Sequence, residues 1–198
     1  MRGDLVGARK KHEEALAIRE KTGEKGDASQ SRLSLAEISL EEGRPFEGER
    51  SARQAEEEFR NQKALDDQAK AEAVLAGSLL AQMKLSEAEI VIASARKLVS
   101  RSGNRNARIY VAIADARIRA ASGKNDEAKK IAAVSLRDAQ EAGFVGLQLE
   151  ARLALGEIEI KAGNFAAGRA RLEALERDAS TNGFALTAHK AEVAIKRN

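Results

Sequence analysis

Chemistry in this chain would have to come from two histidines, His12 and His189, from carboxylates, or from clustered bases, because cysteine is absent. A serine or cysteine nucleophile needs a base within hydrogen-bond reach and a group that orients the base. The two histidines lie at opposite ends of the sequence, so neither a histidine pair nor a histidine-supported triad is expected, and each is read as a packing or surface residue. The lack of cysteine removes thiol nucleophiles, thiolate-bound zinc and disulfides. Glu56-Glu57-Glu58 and Asp66-Asp67 supply carboxylates, but adjacent acids point around a helix and do not converge on one ion. They read as a solvated face, with Asp66 or Asp67 as a helix cap. Gly23-Glu24-Lys25-Gly26 lacks the Gly-Lys-Ser/Thr ending and the preceding strand of a phosphate-binding loop. No catalytic residue, metal ligand or cofactor is expected.

One stretch carries a strong charge bias. From Ile90 to Ala114 there is no acidic residue, while Arg96, Lys97, Arg101, Arg105 and Arg108 are all basic. Such a patch suits a phosphate or an acidic partner; equally, cations near a helix C-terminus complement its dipole. Single-strand nucleic-acid binding calls for bases interleaved with stacking aromatics, and Tyr110 alone is no platform. Nucleic acid is not the expected partner.

The elements that must position these residues are helices. The chain has 198 residues, 33% of them charged, one proline and only six aromatics, with 34 Lys plus Arg against 31 Asp plus Glu. That composition favours helix over sandwich or barrel. A forty-residue period runs through it: Gly3, Gly43, Met83, Gly123 and Gly163 form one series, and Gly23, Lys63, Gly103, Gly143 and Gly183 another. Two turns per period mean two helices per unit. The spacing predicts helices over 4–22, 27–42, 45–62, 66–82, 85–102, 105–122, 125–142, 145–162, 165–181 and 184–197, with Pro45 at a helix start. Leu155-Gly156-Glu157-Ile158-Glu159-Ile160 alternates as a strand would, yet the repeat register requires helix there. A third series of small residues, Ala8, Gly48, Ala88, Ala128 and Gly168, faces Ala36, Ala76, Ala116 and Gly156, as close packing within each hairpin requires.

Leu35-Ala36…Gly43…Gly48, Leu75-Ala76…Met83…Ala88 and Leu155-Gly156…Gly163…Gly168 resemble tetratricopeptide repeats, in a longer variant of about forty residues. A generic α-solenoid satisfies the same spacing. The pattern departs from the family at its first aromatic, replaced by Arg32, Glu72, Ala112 and Arg152, at its tyrosine, replaced by Ser39, Leu79, Arg119 and Glu159, and at Asp115, where leucine is expected. The resemblance implies an all-α, right-handed α-solenoid of antiparallel helix hairpins. It spans 1–198 as one repeat domain, with an incomplete repeat at 1–23 and a capping helix at 184–197.

The resemblance also implies a concave groove lined by the first helices. Its residues would be Gln30, Ser34, Glu37 and Glu41; Lys70, Val74, Gly77 and Ala81; Tyr110, Ala114, Arg117 and Ala121; and Glu150, Ala154, Glu157 and Lys161. The family's Lys/Asn clamp for a terminal carboxylate is not reproduced. Endings such as Glu14–Gly23 look like those of bacterial regulatory and signalling proteins. The expectation is a non-catalytic, cytoplasmic scaffold, a module of a larger protein, that binds a peptide or protein. The alternative is a repeat domain binding a small molecule or nucleic acid through 96–108. No apolar run approaches the roughly 20 residues needed to cross a membrane, so no membrane partner is expected. Self-association through the opening helix, which lacks a preceding partner, is a further expectation. In the closing helix Leu186, Ala188, Val193 and Ile195 should pack inward, while Lys190, Glu192, Lys196 and Arg197 should meet water.

Overall fold

The structure is a computed structural model and describes residues 3–196; Arg197, expected to face water, lies outside the described residues. These residues contain ten helices and no strand. They are α1 (Leu5–Thr22), α2 (Lys25–Glu41), α3 (Pro45–Asn61), α4 (Leu65–Ala81), α5 (Leu85–Val99), α6 (Arg105–Ala121), α7 (Asn125–Glu141), α8 (Val145–Lys161), α9 (Phe165–Thr181) and α10 (Ala185–Lys196). The chain divides into two compact units, Asp4–Ala114 and Asp115 onward, and the boundary falls inside α6. In the first unit α1 packs on α2, α2 on α3, α3 on α4 and α4 on α5; in the second, α7 packs on α8, α8 on α9 and α9 on α10. The alternating segment at 155–160 is helical.

The turns explain the forty-residue period. Gly23, Gly43, Gly123, Gly143, Gly163 and Gly183 all have positive φ, and so do Lys63 (φ 59°) and Met83 (φ 65°). After each, an amide reaches back five residues: Arg44 to the Ser39 carbonyl at 2.8 Å, Ala64 to Phe59 at 2.9 Å, Lys84 to Leu79 at 3.0 Å, Phe144 to Ala139 at 3.0 Å. This closure satisfies helix carbonyls that would otherwise be orphaned, and it needs one left-handed residue. Gly103 does not belong to the set. There α5 stops at Val99, three residues short of expectation, and residues 100–104 link it to α6. The Ser102 amide donates to the Val99 carbonyl at 3.1 Å, the Asn104 amide to Ser102 Oγ at 2.9 Å, and Asn104 Oδ1 caps α6 at the Ala107 amide at 3.1 Å.

Within hairpins the small residues sit at the crossing. Ala36, Ala76, Ala88, Ala116 and Ala128 are wholly buried. Gly156 and Gly168 pack closest of all: a Cβ on Gly168 would lie 2.8 Å from the Gly156 carbonyl oxygen and 2.9 Å from the Ile160 amide nitrogen. Around these contacts the second unit builds a core from Leu149, Leu153, Ile160, Leu172, Leu175 and Ala191, with Ala194 and Ile195 against it.

Charged side chains occupy the positions where the repeat pattern anticipates aromatics. Arg32 pairs with Glu20 and, at 3.0 Å, with Glu58. Arg152 reaches Asp178 at 2.6 Å. Buried Glu159 takes two bonds from Arg171, at 2.9 and 3.1 Å, and buried Asp115 takes Arg119 at 2.9 Å. A paired charge thus occupies the space of a ring.

Three expectations are corrected. Glu56-Glu57-Glu58 is not one solvated face: successive residues on a helix point about 100° apart, so Glu57 is exposed, Glu58 meets Arg32 and Glu56 is buried against Arg60 and Gln68. Asp66 and Asp67 lie in the first turn of α4, whose N-cap is Ala64 with no side-chain cap. Lys190 does not face open water: it is half-buried on Glu150, at 3.0 Å.

The turn geometry makes a direct prediction. Lys63→Gly and Met83→Gly should each raise stability by about 0.5–1 kcal/mol, as relief of a left-handed strain of roughly 1–2 kcal/mol exceeds the extra freedom of unfolded glycine. Gly168→Ala should lower it by about 1–3 kcal/mol through overpacking. Denaturant midpoints at unchanged m measure all three.

Candidate binding face on the first helices

In the first unit the expected face lies along α2, α4 and the start of α6. Gln30, Glu41 and Ala81 are exposed, Ser34, Glu37, Lys70, Gly77, Tyr110 and Ala114 are half-buried, and Val74 is buried. Val74 therefore packs and does not line a surface. The Tyr110 hydroxyl donates to Glu37 Oε1 at 2.5 Å, across 73 residues of sequence. Gly77 occupies the position on α4 that Glu37 holds on α2, forty residues on, and a Cβ there would come within 3.2 Å of Leu40 Cδ2. Lys70 pairs locally with Asp67 at 3.7 Å.

In the second unit the face lies on the rest of α6, on α8 and on α10. Arg117 donates through Nη2 to Glu150 Oε2 at 3.0 Å and through Nε to Glu157 Oε2 at 3.2 Å. Lys190 takes the other oxygen of Glu150. Glu150 therefore sits between two cations. Burial would raise its carboxyl, but the fields of Arg117 and Lys190 outweigh that and hold it down at about 2. Desolvation would lower the Arg117 guanidinium, and Glu157 and Glu150 reverse the sign and raise it. Ala154 is buried and belongs to the packing; Ala121 is half-buried and Lys161 is exposed.

Sequence reasoning placed Arg117, Glu150 and Glu157 on one face and missed Lys190. The missing signal was the period itself, because Lys190 follows Gln30, Lys70, Tyr110 and Glu150 at forty-residue steps.

The other candidates lie elsewhere. Arg96, Lys97, Arg101, Arg105 and Arg108 are all exposed, on the last turn of α5, the 100–104 link and the start of α6. His12 is half-buried on α1, and His189 Nδ1 stands 3.7 Å from Glu192 Oε2 on α10. Gly23 closes α1, Glu24 precedes α2 and Gly26 lies in the first turn of α2, so only the first of the two glycines belongs to the helix connection. Among the described residues no group of three or more His, Asp or Glu could hold a metal ion, and no helix is long and apolar enough to cross a membrane.

The fold is an all-α array of tetratricopeptide-like helix hairpins. Among solved structures, a Rap protein complexed with Competence and Sporulation Factor matches at TM-score 0.75 and 15% identity, over 89% of this chain and 50% of that one. Aspartyl phosphate phosphatase F from Bacillus subtilis matches at TM-score 0.63 and 11% identity, over 86% and 45%. A Podosopora anserina putative kinesin light chain with nearly identical TPR-like repeats matches at 0.57 and 17%, over 91% and 89%. The chain spans about half the length of the Rap protein and phosphatase chains it matches. No protein-family model and no curated protein matches the sequence.

The network on the second unit is testable through pH. A carboxyl with a depressed folded pKa contributes stability that is present above its ordinary value near 4.5 and is lost as pH falls toward about 2. Glu150→Gln should remove that part of the acid sensitivity, so urea unfolding at pH 4.5, 3.5 and 2.5 should show a shallower decline than in the unsubstituted protein. Arg117→Ala, which removes the cation from Glu157 and leaves Glu150 with Lys190 alone, should cost about 1–3 kcal/mol at neutral pH.

Proposed function

We propose that this chain is a non-catalytic interaction scaffold that binds a peptide or protein segment along the first-helix face, in the setting of a bacterial cytoplasmic regulatory system. The observation that carries this reading is the pairing of side chains between first helices, across α4 from α2 to α6 in one unit and from α6 to α8 in the other. Glu37 meets Tyr110 in one unit, and Arg117 meets Glu150 and Glu157 in the other, while Gln30, Glu41 and Lys161 stay exposed beside them. Regularly spaced positions on the first helices thus form fixed, polar strips within each unit. Rigid strips lower the ordering cost on the receptor side when an extended or helical segment docks. The Rap protein with a similar fold was crystallised with Competence and Sporulation Factor bound, which supports a ligand-receiving role for an array of this kind.

A second reading keeps the basic stretch as an acidic-partner or nucleic-acid site. What favours it is that all five bases are exposed around the one helix link that departs from the repeat.

Selection of a displayed peptide library on the purified protein separates the two. Glu41→Lys combined with Lys161→Glu should weaken the selected peptides at least tenfold with an unchanged melting temperature, since both side chains are exposed. Unchanged affinity, or loss only on neutralising Arg101 and Arg108 with a steep salt dependence, would remove the first reading and favour the second.

A further inference from the structure

Three polar side chains are buried together where α3, α4 and α5 meet. Glu56 is 8% exposed, Gln68 7% and Glu72 6%. Gln68 Nε2 donates to Glu56 Oε1 at 2.8 Å and to Glu72 Oε1 at 3.2 Å, so one amide spans both carboxyl groups. The two acids have unequal surroundings. Arg60 clasps both oxygens of Glu56, at 2.5 Å each, and supplies its counter-charge. Glu72 Oε2 is buried with no hydrogen-bond partner. The groups facing Glu72 are Glu56 and Arg60 from α3, Gln68 from α4 itself and Ser94 from α5, whose hydroxyl is oriented toward the carboxyl and partly favours its charged form without closing a well-formed hydrogen bond to Oε2.

A buried carboxylate oxygen without a well-formed hydrogen bond or a counter-ion of its own is far costlier than a buried neutral hydroxyl, which costs about 1–3 kcal/mol when unsatisfied. The single cation of the cluster is already committed to Glu56. Oε1 of Glu72 accepts from Gln68, which leaves Oε2 as the atom to carry a proton.

We propose that Glu72 is held in the folded protein as a neutral carboxylic acid protonated on Oε2, and that loss of this proton loosens the α3–α4–α5 joint. The first unit thereby contains an alkaline-sensitive element that is independent of what the first-helix face binds. Burial, the largest effect, and the neighbouring Glu56 charge push the Glu72 carboxyl up and outweigh Ser94, Gln68 and Arg60, which favour its charged form. With a raised folded value the contribution is complete below the ordinary 4.5 and is lost as pH rises through the folded value. Ionised, Glu72 would place a second negative charge beside Glu56 in a site that water does not reach. Because Glu72 lies between Lys70 and Val74 on α4, loosening would also disturb the first-helix face.

The test compares chemical unfolding of the full chain and of Glu72→Gln from pH 4.5 to 9. Glutamine keeps the shape and the neutral charge. The unfolding constant of the unsubstituted protein should climb by up to about tenfold per pH unit within the titration window, and that rise should be missing from Glu72→Gln. Parallel profiles would overturn the proposal, as would a variant much less stable at every pH. A second readout needs no substitution: the 13C-carboxyl resonance of Glu72 should titrate with a midpoint above the ordinary 4.5, and a midpoint at or below that value would equally overturn the proposal.

Discussion

Close approach of two helices at a pair of small side chains is the contact on which each hairpin depends. Where Ala36 meets Gly48, or Gly156 meets Gly168, there is no room for another carbon beside the backbone. That contact sets the separation of the two helices, and the separation decides which neighbours can interdigitate. Leu153, Leu172 and Leu175 then fill a core of fixed width. The left-handed turn closes the hairpin at one end, and its hydrogen bond five residues back, repeated from Arg44 to Phe184, keeps the helix from running on. Lys63 and Met83 adopt the same backbone without being glycine, so the closure dictates the conformation and the residue tolerates it.

With the helix spacing fixed, the space around each crossing can be filled in more than one way. This chain fills much of it with ion pairs. Arg32, Arg152, Glu159 and Asp115 reach partners on neighbouring turns or helices. Directional contacts of this kind select a register more sharply than interchangeable apolar ones, since a slip leaves a charge without its counter-ion. The Glu56–Gln68–Glu72 cluster belongs to the same layer, with one acid more than its cation can satisfy.

The helices were legible because spacing of small residues and turns is a local property. Pro45 starts α3, the Gly43 and Gly163 turns end helices, and the register overrode the strand-like alternation of 155–160 correctly. The misreadings share a different cause. Glu56 looked solvated because its neighbours in sequence are acidic, whereas its partners are Arg60, one turn along α3, and Gln68 on the next helix, against which it is buried. Lys190 looked solvent-facing because α10 was read by itself. Gly103 looked like one more turn residue, but Ser102 and Asn104 offered the backbone other hydrogen bonds, and side-chain competition of that sort is invisible to a spacing rule.

The pairing of Arg117 with Glu150 and Glu157, and of Glu150 with Lys190, bears on molecular selectivity. These groups already have their counter-charges, so an incoming segment could not simply add an ion pair; it would have to trade one set for another. A trade is close to neutral for a ligand that offers matching charges in matching places, and heavily unfavourable for one that strips a partner away and leaves a carboxylate dry. A surface built this way would draw little strength from attraction at a distance and would discriminate mainly by refusal.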